Sequence, residues 1–218
     1  MTDEKYVVFD FDGTIADTID LSIRIYNKIA PEYNCKTLDP GDRHLLSTRK
    51  PQDLMHEAGI TSLKLPKLVL RVRKELGRHI HEAKPFPGIV SALEEIRTAG
   101  YKTGVLTSNS RENADWFCTH NFSRGTFDFV YSGKNLFGKE RVIKRMLEIE
   151  QIRPDRVVYV GDETRDIIAC KKAGIPVISV CWGLNPRETL AAMNPDKITD
   201  QPGALSGFVQ MILGDNKS

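Results

Sequence analysis

Four acids and a hydroxyl pair carry the chemistry that the residue order suggests. Asp10 and Asp12 lie in YVVFDFDGTIADT, Tyr6 to Thr18, where an apolar run ends in clustered like charges. Thr107 and Ser108 follow KTGVL, and VVYVGDETRD places Asp162 and Asp166 four residues apart. Carboxylates gathered in one crevice repel unless a cation sits among them. The donors are all oxygens, with no His or Cys at ligand spacing nearby, and such a set suits hard Mg²⁺, which keeps waters and shares its shell with substrate phosphate. A hydroxyl pair beside helix N-termini suits the phosphate itself. Phosphoryl charge also calls for a lysine, and SGKNLFGKER supplies Lys134 and Lys139.

These groups meet only if the chain folds to bring them together. Tyr6–Phe9, Lys102–Leu106, Phe127–Tyr131, Arg156–Val160 and Pro176–Val180 are short, β-branched or aromatic, and bounded by Gly, Asp or Pro, so they read as strands. Between them Ile89/Leu93/Ile96, Val142/Ile143/Met146/Leu147 and Ile167/Ile168/Ala173 recur at helical spacing. Alternating strand and helix predicts an α/β fold, a parallel sheet with helices on both faces. In such a sheet the strand C-terminal ends share one edge, where ligands bind at the switch point. Asp10, Thr107, Asp162 and Asp166 fall at that edge from three strands, with the lysines on the same side.

From about Asp17 to Lys84 the pattern is helical without a convincing strand. Ile19, Ile23, Tyr26 and Ile29 form one stripe; Leu65, Leu68, Val69, Val72, Leu76 and Ile80 form another. A connection of that length needs its own core. We therefore expect a helical cap domain at 17–85 and a core of 1–16 and 86–218. Asp17 and Thr18 are expected to cap the first helix of this insertion.

Each feature also has a plainer explanation. Asp12-Gly13 could turn a hairpin, though the helical pattern that follows argues against one. Asp162 could be a helix N-cap, with Glu163 and Asp166 complementing the dipole. Thr107 to Ser110 could cap the helix before Trp116, and either lysine alone could be a surface residue. The order of all the features together favours the shared site.

FDFDGTIADT, GVLTSNS and VVYVGDETRDIIACKKAGI resemble three signatures of the haloacid dehalogenase-like hydrolase superfamily. PFPGIVSALEEIRTAGYKTGV is similar to the stretch that returns the chain from the cap to the core in its phosphoglycolate-phosphatase-like branch. The resemblance covers about two thirds of the chain, and it implies a Rossmann-like three-layer core with a mostly parallel sheet and an inserted all-helical cap. It implies a Mg²⁺-dependent phosphatase acting on a small phosphorylated metabolite. Asp10 would be the nucleophile that forms an aspartyl-phosphate. Asp12 would be the general acid–base, with its carbonyl on the metal. Thr107, with Ser108, would hold the phosphoryl group. Asp162 would be a direct metal ligand and Asp166 a partner behind the ligands. Where this branch often carries Lys-Pro, the chain has Lys134-Asn135 and Lys139-Glu140. Lys139 is preferred because it opens the helix leading to GDxxxD, and Lys134 stays open. The family's dehalogenases and phosphonate-cleaving members lack an acid at the position of Asp12. Thr14 favours a phosphatase over a phosphosugar mutase, where valine is more common, and the mutase stays open as the alternative enzyme.

The cap should select the substrate, and His44, Arg49, Lys50 and His56 are candidates, with Arg49 and Lys50 in a loop that could face the site. Lys64 to Lys84 carries seven Lys/Arg against two Glu, which reads as a solvated helix face. The net charge of +2 and the lack of a binding motif argue against a nucleic-acid partner. No run is long enough for a membrane span or secretory leader. Cys35, Cys118, Cys170 and Cys181 show no CxxC spacing, which fits reduced thiols in a cytoplasmic protein. A catalytically silent binding or regulatory protein on this fold is the alternative outside enzymes. The oligomeric state is not legible.

Overall fold

The computed structural model describes residues 3–39, 51–133 and 138–214. Six parallel strands form the central sheet: β1 (Tyr6–Phe9), β4 (Lys102–Thr107), β5 (Phe129–Ser132), β6 (Val157–Gly161), β7 (Val177–Val180) and β8 (Lys197–Thr199), in the order β5-β4-β1-β6-β7-β8. The five expected strands are present within a residue or two of their expected limits. β8 has only a single apolar residue, Ile198, and gives no strand pattern by itself; pairing with β7 creates it.

The strand alternation sorts two cores. Val7 and Phe9 of β1, Val158 and Val160 of β6, and Ile178 and Val180 of β7 face one layer, while Tyr6, Val8, Val157, Tyr159 and Val177 face the other. The first layer holds α4 (Ile89–Thr98), α5 (Arg111–Asn121) and α9 (Leu205–Leu213), which contribute residues such as Leu93, Phe117 and Val209. The second holds α6 (Lys139–Ile149), α7 (Thr164–Ala173) and α8 (Arg187–Ala191), which contribute Met146, Ile167 and Leu190. Both faces are thus buried, as parallel strands require, and the fold is a Rossmann-like three-layer sandwich.

A two-residue antiparallel ribbon, β2 (Ala16–Asp17) with β3 (Lys84–Pro85), joins the two ends of the helical stretch. Between them lie α1 (Ile19–Ile29), α2 (Pro51–Glu57) and α3 (Leu65–Arg78), and the apolar faces of α1 and α3 join the first core. Asp17 is therefore a strand residue. Thr18 precedes α1 but makes no side-chain cap; its hydroxyl donates to Asp12 Oδ1 at 2.9 Å. A sequence can mark a helix start, but it cannot show that a nearby carboxylate competes for the capping hydroxyl. The Asp12-Gly13 turn does not open a long hairpin. It closes on the Asp12–Ala16 bridge and leads into α1.

Candidate active site

β1 lies between β4 and β6, so the residues just beyond the C-terminal ends of these strands are neighbours. Asp10 follows β1 and is held in line by its own amide, which donates to the Val160 carbonyl at 2.8 Å. Asp162 follows Gly161, the last residue of β6, and Asp166 lies one turn into α7. Carboxylate oxygens of Asp10, Asp162 and Asp166 all fall within 4.8 Å of one another, and all three residues are buried.

Their partners differ in charge. Asp10 Oδ1 accepts from the Phe11 amide at 2.9 Å, and its Oδ2 lies 2.8 Å from Lys139 Nζ. Asp166 accepts from the same ammonium and, through Oδ2, from the Glu163 amide at 3.1 Å. Asp162 has neutral partners: Thr14 Oγ1 on Oδ1 at 2.9 Å and the Leu184 amide on Oδ2 at 2.7 Å. Burial, then Glu163, Asp10 and Asp166, push Asp162 well above the usual carboxylate range. Burial raises Asp166 to about 7, with Lys139 pulling the other way. A buried carboxylate among other acids either takes a proton or takes a cation. The crowded oxygen set, with Asp162 lacking a cationic partner among the described residues, fits a hard divalent ion.

Two glycines make the crowding possible. A Cβ on Gly13, where φ is +80°, would lie 2.2 Å from Asp162 Oδ2; one on Gly183 would lie 2.3 Å from the Asp162 side chain. The Asp162 carboxylate is clasped between these two backbones, which is why an Asp-Gly turn follows the first strand.

Lys139 is the first residue of α6 and reaches back over the Tyr159 ring, 5.1 Å from its centroid. Burial opposes its charge, but Asp10 and Asp166 more than compensate and raise its pKa well above normal. Lys134, the open alternative, lies outside the described residues, as do His44, Arg49 and Lys50. His56 is exposed on α2.

Asp12 stands off from the acid cluster. It accepts from Thr18 Oγ1 at 2.9 Å and from Asn109 Nδ2 at 3.2 Å to each carboxylate oxygen. Burial first, then Asp10, raise it to about 6, against the pull of Thr18, Asn109 and Arg73. Thr107 ends β4, and its buried hydroxyl accepts from the Asn109 amide at 2.9 Å, which leaves its proton free to donate. Thr107, Ser108, Lys139 and Arg165 line one small cavity.

Several contributors escaped the sequence reading. Asn109 orients Asp12. Of the Thr107 to Ser110 stretch expected to be able to cap α5, Ser110 does so, accepting from the Asn113 amide at 3.2 Å. Glu163, not Asp162, is the N-cap of α7, and it pairs with Arg165. Arg73 leaves the solvated face expected for α3 and donates from Nη2 to the Ser108 carbonyl at 2.8 Å. One signal for Arg73 was available: it lies four residues after Val69 and three before Leu76, on the apolar stripe itself.

A parallel sheet between two helical layers, with buried acids, a lysine and a threonine gathered at its switch-point edge, is a Rossmann-like core carrying an enzyme-like site. The family profile described as "Haloacid dehalogenase-like hydrolase" matches residues 7–180. A phosphoglycolate phosphatase of Synechococcus elongatus is 31% identical over 207 residues, covering 95% of this chain and 98% of the relative. The pyrophosphatase PpaX of Bacillus mycoides is 24% identical over 214 residues, 95% of this chain and 98% of its own. Among solved structures, a predicted phosphatase from Clostridium acetobutylicum superposes with a TM-score of 0.81 at 21% identity, covering 95% of this chain and 99% of that one. The chain belongs to the haloacid dehalogenase-like hydrolase family, and within it is an enzyme of the phosphatase type. No helix among the described residues is long and apolar enough to cross a membrane.

Proposed function

We propose that this enzyme is a Mg²⁺-dependent phosphatase that hydrolyses a small phosphorylated metabolite through an aspartyl-phosphate on Asp10. The observation that carries the reading is the convergence of Asp10, Asp162 and Asp166 with Lys139 bridging Asp10 and Asp166. Asp10, Asp162 and the Asp12 carbonyl would hold the metal, with Asp166 behind them. When bound, Mg²⁺ supplies positive charge to the phosphoryl oxygens and to the crowded acids.

In the first step an Asp10 carboxylate oxygen attacks phosphorus, and the bond from phosphorus to the leaving oxygen breaks. Asp12 gives its proton to that oxygen. In the second step Asp12, now ionised, takes a proton from water, whose oxygen attacks phosphorus and releases Asp10 and inorganic phosphate. Lys139 offsets charge on the phosphoryl oxygens, and the Thr107 hydroxyl and the Ser108 segment hold that group in line. Residues 17–85 act as the cap over this edge, and the β2–β3 ribbon is the joint that connects it to the core of 1–16 and 86–218.

Asp10→Asn keeps the shape of the side chain and removes the nucleophile. We expect kcat for an aryl phosphate to fall by at least ~10⁴-fold, with an unchanged circular dichroism spectrum. Phosphate release at the wild-type rate from that variant would refute the assignment of Asp10.

A further inference from the structure

A cavity of about 390 Å³ starts at Asp12, Ser108 and Asn109. Ser108 also borders the small cavity of Thr107 and Lys139, so the two spaces meet at one residue. The phosphoryl group belongs in the small one, beside Thr107 and Lys139. Asp12 protonates the leaving oxygen, so whatever that oxygen carries extends past Asp12 into the larger one. There α1 and α3 form the walls, with Ile23, Leu68, Val69, Val72 and Leu76 lining the space.

The polar groups on this wall are already engaged. Thr18 and Asn109 both donate to Asp12. The Tyr26 hydroxyl donates to the Lys36 carbonyl at 2.7 Å. Arg73 is held by the Ser108 carbonyl and Arg165 by Glu163, and the Arg165 Nε is buried with no surface facing the space. Asp12, Asp162 and Glu163 set three acids against these two cations, so the wall offers no net attraction to a second anion. Of the residues that α1 and α3 bring to the space, Ser22 alone keeps a polar side chain without a hydrogen bond among the described residues. Apolar walls gain by exchanging water for hydrocarbon, and pockets of this size with few free polar groups are the usual form of small-molecule sites.

We infer that the substrate is a phosphate monoester of an uncharged, mostly hydrocarbon alcohol, whose chain or ring lies between α1 and α3. This rests on the reading of Asp10 as the phosphoryl acceptor and Asp12 as the acid. Val69 and Val72 are then specificity-determining residues, since both line the space and both are half-buried, with surface left for a ligand to cover. The same wall disfavours phosphoglycolate and pyrophosphate, whose leaving groups would carry negative charge past Asp12.

The test measures kcat/KM of the full-length, Mg²⁺-supplemented protein on ethyl, butyl and hexyl phosphate, with phosphoglycolate and pyrophosphate as charged counterparts. The three alkoxide leaving groups are of nearly equal basicity, so the series reports how the chain is bound and not how easily it departs. The wild type is expected to gain about threefold per methylene, about 80-fold from ethyl to hexyl, and to place hexyl phosphate ahead of both charged compounds. Val69→Phe fills the space and is expected to cut the hexyl-to-ethyl ratio by at least about fivefold. Val69→Lys puts a cation on the wall and is expected to raise phosphoglycolate relative to hexyl phosphate by at least about tenfold. A flat chain-length series, or either charged compound ahead of hexyl phosphate in the wild type, would overturn the proposal. So would losses in both variants that are equal on all five compounds. If Val69→Phe does not give a folded circular dichroism spectrum, Val69→Lys and the wild-type series decide the question. No phosphate release from these compounds or from an aryl phosphate is a different result: it removes the phosphatase reading and the proposal with it.

Discussion

The sheet edge and the helical segment both concentrate charge, but they handle it in opposite ways. At the edge, Asp10, Asp162 and Asp166 are buried, the Lys139 side chain is only 10% exposed, and both oxygens of each of these three carboxylates accept a hydrogen bond or face the ammonium. On α3, Arg71 and Arg78 share Glu75, and across to α1 Glu82 pairs with Arg24, all at the surface. Charge density alone is therefore a poor guide to function. What matters is whether water can screen it: buried groups interact strongly and depend on each partner, while exposed pairs contribute little. Arg73 is the exception on the helical segment, because its place on the apolar stripe turns it inward.

The comparison can be broken or sharpened by three measurements. The largest effect is expected at the edge. Lys139→Met removes the charge shared by Asp10 and Asp166 and should lower kcat by about 10³-fold; a loss below about tenfold would return the catalytic role to another lysine. The next concerns the metal. Mg²⁺ at about 100 times its dissociation constant should stabilise the wild type by about 2.7 kcal/mol, read as a rise in Tm. Asp162→Asn should abolish that rise, since Asp162 has only neutral partners among the described residues, and an undiminished rise would exclude it as a ligand. The smallest effect is expected on the exposed helix. Glu75→Ala removes the acid that Arg71 and Arg78 share, yet Tm should move by no more than about two degrees and kcat/KM by no more than about twofold. A larger change would show that the surface cluster matters as much as the buried one.

Much of the edge was legible because strand ends are local events. YVVF, KTGVL and VVYV announce strands by composition, and a parallel sheet aligns whatever follows them, so Asp10, Thr107 and Asp162 could be placed together before any coordinates. Lys139 was legible only as one of two choices, because the distance from α6 back to Asp10 depends on the loop before it. Asn109 and Thr18 were read as capping or loop residues, since a polar side chain's partner is rarely its sequence neighbour. β8 and the β2–β3 ribbon were missed because a strand of two or three residues has no periodicity to detect; its partner strand defines it.

By itself, the sequence determined the class of fold, the order of the acids along one edge and the oxygen-only character of the site. These follow from hydrophobic period and residue type, which act over a few residues at a time. Only the tertiary structure decided how each charge is used. It left Asp162 with neutral partners, gave Lys139 to Asp10 and Asp166, spent the Thr18 hydroxyl on Asp12, and turned Arg73 onto the Ser108 carbonyl. Those outcomes depend on distances across the fold and on which groups are shut away from water, and neither quantity is written in local residue order.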